Sequence, residues 1–192
     1  MSMLALEESL PYIHNRVGFN YRMTEMQSLI GLNELKRLES WNLPRRYKYA
    51  KMYDDAFKGL KGIKKLPINT SERKNAYWWY PINLDLSVLD TDASGIVKEL
   101  QGLGIPCYGI QWPEAYEEKA YKEQNGFGEA KFPFKSKEYT DPKSADYTNV
   151  VCPKAKSLRA ETFSLFLHPT WEEEHIQSCI DATKSAIAKH LK

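Results

Sequence analysis

The 192-residue chain is short of cysteine, and its three cysteines lie far apart. Cys107, Cys152 and Cys179 form no C-x-x-C pair, so the common zinc and dithiol motifs are excluded and the expectation is reduced thiols in a cytoplasmic protein. No apolar run approaches the roughly 20 residues that span a bilayer. No apolar leader opens the sequence either, so no membrane partner is expected. Charge of one sign is also missing. Twenty-seven Lys and Arg against 25 Asp and Glu leave a net charge of +2, too small to attract a nucleic acid or an anionic membrane. The basic stretch from Arg45 to Tyr53 runs into Asp54 and Asp55 and reads as a solvated helix face. Phosphate cradles of the G-x-x-x-x-G-K-[ST] and G-x-G-x-x-G types are absent, and so is G-x-S-x-G. Gly126-Phe-Gly128 reads as a turn. The histidines His14, His168, His175 and His190 are scattered without metal-ligand spacing.

What is present suits a packed fold. Hydrophobic residues make up 42% and charged residues 27%, and 12 Tyr and 5 Trp suggest an aromatic pocket or contact surface. Thr24 and Gln27 form a capping box ahead of a helix over 24–40, with Met26, Leu29, Ile30, Leu35 and Leu38 as its buried stripe. Gly31 inside it costs about 1 kcal/mol against Ala, which suggests close approach of another backbone. A second helix is predicted over 41–60, with Leu43, Tyr47, Ala50, Phe57 and Leu60 on one side and Arg45, Arg46, Lys48 and Lys51 on the other. Pro44 suits its first turn, or a kink in one long helix.

Strands follow at 63–66 and in AYWWYPINLDL, where Trp78, Tyr80, Ile82, Leu84 and Leu86 face one way and Tyr77, Trp79, Asn83 and Asp85 the other. Pro81 argues for an edge strand or a bulge. A helix over 92–103 ends at Gly104, and a strand returns at 105–108. Residues 109–153 form a long excursion with a short helix near 114–124. A helical turn at 154–159, a strand at 162–167 and a last helix opened by a Thr170–Glu173 capping box complete the chain. The expected architecture is α/β (α+β): a mostly antiparallel sheet with helices on one face, preceded by a helical arm. Residues 1–60 make the N-terminal segment and arm; residues 61–192 make the small domain.

One loop carries candidate chemistry. Gly18-Phe-Asn-Tyr-Arg precedes the first helix. Asn20 can donate two hydrogen bonds, and Arg22 offers a planar fork for phosphate or carboxylate. The free amides of the helix start add partial positive charge. These residues either receive an anion or merely brace the helix entry; the residue types alone leave both readings open.

The stretch GFNYRMTEMQSLIGLNELKRLE resembles a signature of the DegT/StrS family, fold-type-I aminotransferases that use pyridoxal phosphate (PLP). The likeness continues in order through RRYKYAKMYDDAFKGLKGI, NAYWWYPINLD, IVKELQGLGIPCYG and SLFLHPTWEEEHI. It implies the small C-terminal domain of such an enzyme, acting on a keto-sugar, commonly nucleotide-linked, or a cyclitol ketone. It implies that Asn20 reaches the cofactor phosphate across a dimer, that Arg22 lies close to the same site, and that Tyr108 and His168 lie on the substrate side. In that family the Schiff-base lysine precedes the Asn-Tyr-Arg motif, and only 19 residues precede Asn20 here. The expectation is therefore a chain without its catalytic lysine, inactive alone and dependent on an N-terminal half or a homodimer partner. The alternative is a non-catalytic dimerisation or interaction module.

Overall fold

Thr24 caps the first helix as its spacing to Gln27 predicts. Its hydroxyl accepts from the Gln27 amide, and the Gln27 side chain accepts from the Thr24 amide at 3.0 Å. The computed structural model describes residues 21–110, 112–129, 131–137 and 140–192. The chain divides into two units, Met1–Asn42 and Leu43–Lys192.

In the first unit, α1 (Glu25–Arg37) is followed by a π turn, Leu38–Asn42. The guanidinium of Arg37 lies over the Trp41 ring at 4.5 Å. The expected burial of the α1 stripe is not found. Met26, Leu29, Ile30 and Leu35 are between 62% and 78% exposed, and Leu38 is also exposed. Periodicity identifies which face of a helix is apolar; it does not supply the surface that covers it. Gly31 likewise faces open space, so no backbone approaches it among the described residues.

The second unit begins with α2 (Leu43–Phe57), whose Tyr49, Ala50, Tyr53 and Phe57 are buried. Pro44 sits in its first turn, where a missing N–H costs little. The sheet contains β1 (Ile63–Lys65), β2 (Trp79–Leu84), β3 (Cys107–Gly109) and β4 (Thr162–Phe166) in the order β1-β2-β4-β3, every pair antiparallel. Alternation on β2 buries Tyr80, Ile82 and Leu84, which meet Phe163 and Leu165 of β4 in one core. Trp78 does not join them and is 67% exposed. The left-handed φ of +51° at Tyr77 breaks the alternation before the strand begins, and it is Tyr77 that is buried. Pro81 is not on an edge strand, because β2 is flanked by β1 and β4. The proline is tolerated because β1 reaches only Asn83 and Leu84.

Helix α3 (Ala93–Gly102) is capped by the Asp92 carboxylate, which accepts from the Ser94 and Gly95 amides. Gly104, at φ +77°, follows its end. The excursion holds a 3₁₀ turn, Ala115–Glu117, then α4 (Lys119–Lys122) and a second 3₁₀ turn, Pro142–Ala145, before α5 (Pro153–Glu161). The last helix, α6 (Glu173–Lys189), buries Ile176, Cys179, Ile180 and Ile187. Its capping box is formed by Glu172 and His175 rather than Thr170 and Glu173, because Thr170 bonds to His168 instead. The three cysteines are unpaired, with Cys107 and Cys179 buried and Cys152 exposed.

Glu161, at the end of α5, ties three elements together. It accepts from Ser157 at 2.5 Å, Lys64 at 3.0 Å and Asn83 at 3.2 Å. The Ser157 bond, then those of Lys64 and Asn83, lower its pKa from 4.5 to about 2. The fold therefore favours the ionised form. That stabilisation is fully present above about pH 4.5 and is lost as the pH falls toward 2. Glu161→Gln should lower the Tm at pH 7, and the difference from wild type should vanish near pH 2 in thermal melts across that range. A pH-independent difference would contradict this.

Candidate functional site

The two halves of the expected site stand differently. Asn20 lies outside the described residues. Arg22 is exposed, two residues ahead of the Thr24 cap of α1.

Tyr108 and His168 stand at the two ends of a row of rings, linked through Trp79 and Phe166 rather than in contact with each other. Antiparallel register sets Trp79 opposite Phe166 and Tyr108 opposite Ser164. Side chains alternate, so these residues point away from the Tyr80–Ile82–Leu84 core. Trp79 meets Tyr108 edge-on, with ring centroids 5.0 Å apart, and Phe166 at 4.9 Å. Phe166 in turn stacks on His168 at 5.8 Å and meets Trp171 at 5.5 Å. The row Tyr108–Trp79–Phe166–His168 thus crosses three strands.

His168 Nδ1 lies 2.6 Å from the Thr170 hydroxyl and accepts the Thr170 amide at 3.3 Å. A ring nitrogen that accepts a backbone N–H is unprotonated, so in the neutral ring the proton sits on Nε2. His168 is thereby oriented to donate from Nε2.

The segment that carries His168 is held by α2. Arg46 donates to the Tyr77 carbonyl at 2.8 Å and to the Leu167 carbonyl at 3.1 Å. Arg45 donates to the carbonyls of Pro169 and Trp171 and to the Glu172 carboxylate. The Tyr49 hydroxyl also donates to the Trp171 carbonyl. Arg45 and Arg46 are therefore not part of a merely solvated face, as the charge pattern of α2 suggests. Burial lowers the Arg46 pKa, yet a guanidinium remains charged at any working pH.

A trough of about 690 Å³ opens along the Tyr108–Trp79–Phe166 part of this row, with Trp78, Trp112 and Trp171 among its walls and no charged residue in its lining; His168 lies beyond that lining. A cavity of about 970 Å³ lies between α2 and residues 63–77. There Lys51 pairs with Asp55, which matches part of its charge, and Asp54 accepts from the Tyr80 hydroxyl. Trp79, Phe166 and Trp171 line this trough and were not singled out by motif reading. The period-two pattern set Trp79 on the outer face, but only the strand register shows that Phe166 meets it.

Among the described residues no cluster of three or more His, Cys, Asp or Glu could hold a metal. No helix among them is long and apolar enough to cross a membrane. Nor is any lysine among them buried. A Schiff-base lysine is tuned by desolvation, and none of the described lysines has that burial.

Comparison with known proteins places this geometry. The chain is 27% identical over 173 residues to an uncharacterized protein of Methanocaldococcus jannaschii, covering 90% of this chain and 39% of that protein. It is 33% identical over 97 residues to GDP-perosamine synthase of Caulobacter vibrioides, covering 50% of this chain and 26% of the synthase. The chain thus spans well under half the length of these relatives. Among solved structures, an aminotransferase from Psychrobacter cryohalolentis superposes with a TM-score of 0.71 at 24% identity, over 95% of this chain and 44% of that one. DesV of S. venezuelae, solved with a ketimine intermediate, gives 0.65 at 22% identity over 94% and 41%. At these identities the structures establish the fold: a mixed helix and antiparallel-sheet domain of fold-type-I aminotransferases, as the sequence leads one to expect. The profile of the DegT/DnrJ/EryC1/StrS aminotransferase family matches residues 2–141. The chain therefore belongs to this family, whose members are PLP-dependent.

Proposed function

We propose that this chain is the C-terminal part of a PLP-dependent aminotransferase that aminates a keto-sugar, carried on a nucleotide, or a cyclitol ketone. The carrying observation is that Tyr108 and His168 share one aromatic row on an open sheet face, while no described lysine is buried. On this reading Tyr108 and His168 face the substrate, and Asn20 and Arg22 serve the cofactor phosphate across a cytoplasmic dimer. The lysine comes from an N-terminal half outside this sequence, and the chain is inactive without it.

A second reading, a non-catalytic dimerisation or interaction module, is favoured by the exposed α1 stripe of Met26, Leu29, Ile30 and Leu35.

The test is to titrate the purified chain with PLP and record its spectrum, alone and with a lysine-bearing half of the same family. The chain alone should develop no absorbance of a lysine-linked cofactor. The mixture should transfer an amino group from glutamate or glutamine to a nucleotide-linked keto-sugar. A cofactor band from the chain alone would refute the missing-lysine claim. Failure of transfer in the mixture would leave the module reading.

A further inference from the structure

The cavity of about 970 Å³ beside α2 shares no lining residue with the aromatic trough. Helix α2 packs Tyr53 and Phe57 on Tyr80, so this cavity belongs to the inward side of β2, whereas the trough opens outward. Five lysines and two aspartates line it, an excess of +3 in a chain whose total is +2. Lys51 pairs with Asp55, and Lys64 with Glu161, which is not in the lining. Lys58, Lys65 and Lys74 are exposed and have no carboxylate partner among the described residues. Asp54 alone stands against them, and it already accepts from the Tyr80 hydroxyl at 2.5 Å. A lysine on an edge strand discourages stray strand pairing, which accounts for Lys65 on β1. It does not account for Lys58, after the end of α2, or for Lys74, in the turn before β2.

The wall that carries Lys74 is braced. The Thr70 amide donates to the Arg73 carbonyl at 2.9 Å. The Asn69 side chain accepts from the Asn75 amide and donates to the Tyr77 hydroxyl, both at 2.8 Å. Tyr77 ends this wall at its left-handed φ of +51°, which a residue other than glycine keeps only where its surroundings hold it.

We propose that this cavity is a site for a compact oligophosphate, separate from the substrate and from the cofactor. Three ammonium groups on three different elements face one space, and a polyanion seated there relieves their mutual repulsion. Lysines act as point charges and follow charge density. A planar carboxylate is better met by the fork of an arginine, and no arginine lines the cavity. The braced turn sets the stem of Lys74 in advance, so less ordering is left for the ligand to impose. A long polyanion such as a nucleic acid would run out over the near-neutral remainder of the chain and gain little there. The inference is independent of the aminotransferase reading and stands or falls by binding alone.

The test titrates the whole chain with sodium tripolyphosphate, citrate and inorganic phosphate by calorimetry, with amide NMR shifts to locate the ligand. Tripolyphosphate should saturate with a dissociation constant on the order of 0.1 mM at low salt. Binding should weaken about tenfold between about 20 and 200 mM sodium chloride, as exposed charges are screened. Shifts should centre on Lys65, Asn69 and Lys74, and citrate and phosphate should each bind at least about tenfold more weakly. Lys65→Gln combined with Lys74→Gln should reduce affinity about tenfold or more. Both side chains are exposed, so the melting curve should stay that of the wild type. Lys36→Gln combined with Lys98→Gln removes the same charge from exposed positions outside the cavity and should leave the affinity unchanged. Four results overturn the proposal: no saturation by about 10 mM, citrate binding as tightly as tripolyphosphate, shifts centred elsewhere, or equal losses from the two double variants.

Discussion

Phe57→Ala should destabilise the second unit by about 3–5 kcal/mol, the range for removing a fully buried phenylalanine. Phe57 closes α2 onto the sheet. It is fully buried, stacked 5.7 Å from Tyr53 and 6.5 Å from Tyr80, and both neighbours are themselves fully buried. Two of these rings sit one helical turn apart on α2, and the third projects from β2, so the hole cannot close without moving helix against sheet. Domains of this size have roughly 5–15 kcal/mol in total, and the loss should lower the Tm by about 10 °C. Urea and thermal unfolding would measure it. A change under about 1 kcal/mol would show that the ring cluster is not a packed core.

Arg46→Met should cost roughly 2–3 kcal/mol by a different route. The Arg46 fork joins the carbonyl of Tyr77, just before β2, to that of Leu167, just after β4. Methionine fills much of the volume but leaves both acceptors without this donor. The substitution should also release the segment around His168, which the amide NMR signals of Thr170 and Trp171 would report. Arg46→Lys should recover less than half of the loss, because one ammonium cannot span two carbonyls as a planar fork does. Full rescue by lysine would mean that charge alone matters at this position.

The legible parts of the sequence were those decided locally. The Thr24–Gln27 box, the end of the third helix at Gly104 and the alternation of Tyr80, Ile82 and Leu84 each depend on residues within a few positions, and the structure has them all. Thr170–Glu173 has the same local signature as Thr24–Gln27, yet it loses to His168 on one side and Glu172 on the other. Pro81 was readable as a residue unable to serve a full ladder, but not as one in an interior strand with a short neighbour. The face of α2 that carries Arg45 and Arg46 looked solvated because the carbonyls it serves are remote in sequence. The candidate site divided in the same manner. Tyr108 and His168 were reached through motif resemblance, whereas Trp79 and Phe166 become neighbours only when β2 and β4 take their register. Exposure of the α1 stripe was beyond periodicity altogether, since a pattern cannot state whether its partner is present.

The clamp on the His168 segment also fixes when that segment can form. Its bonds from Arg45, Arg46 and Tyr49 join residues 121 to 127 positions apart. Loop closure over such distances must precede any reward from the contact. During synthesis α2 emerges early and waits with its arginines unserved by this segment until the strand and loop after α5 leave the ribosome. The His168 segment consequently assembles after α2, and a ribosome stalled before His168 would hold α2, α3 and α5 but neither this segment nor α6.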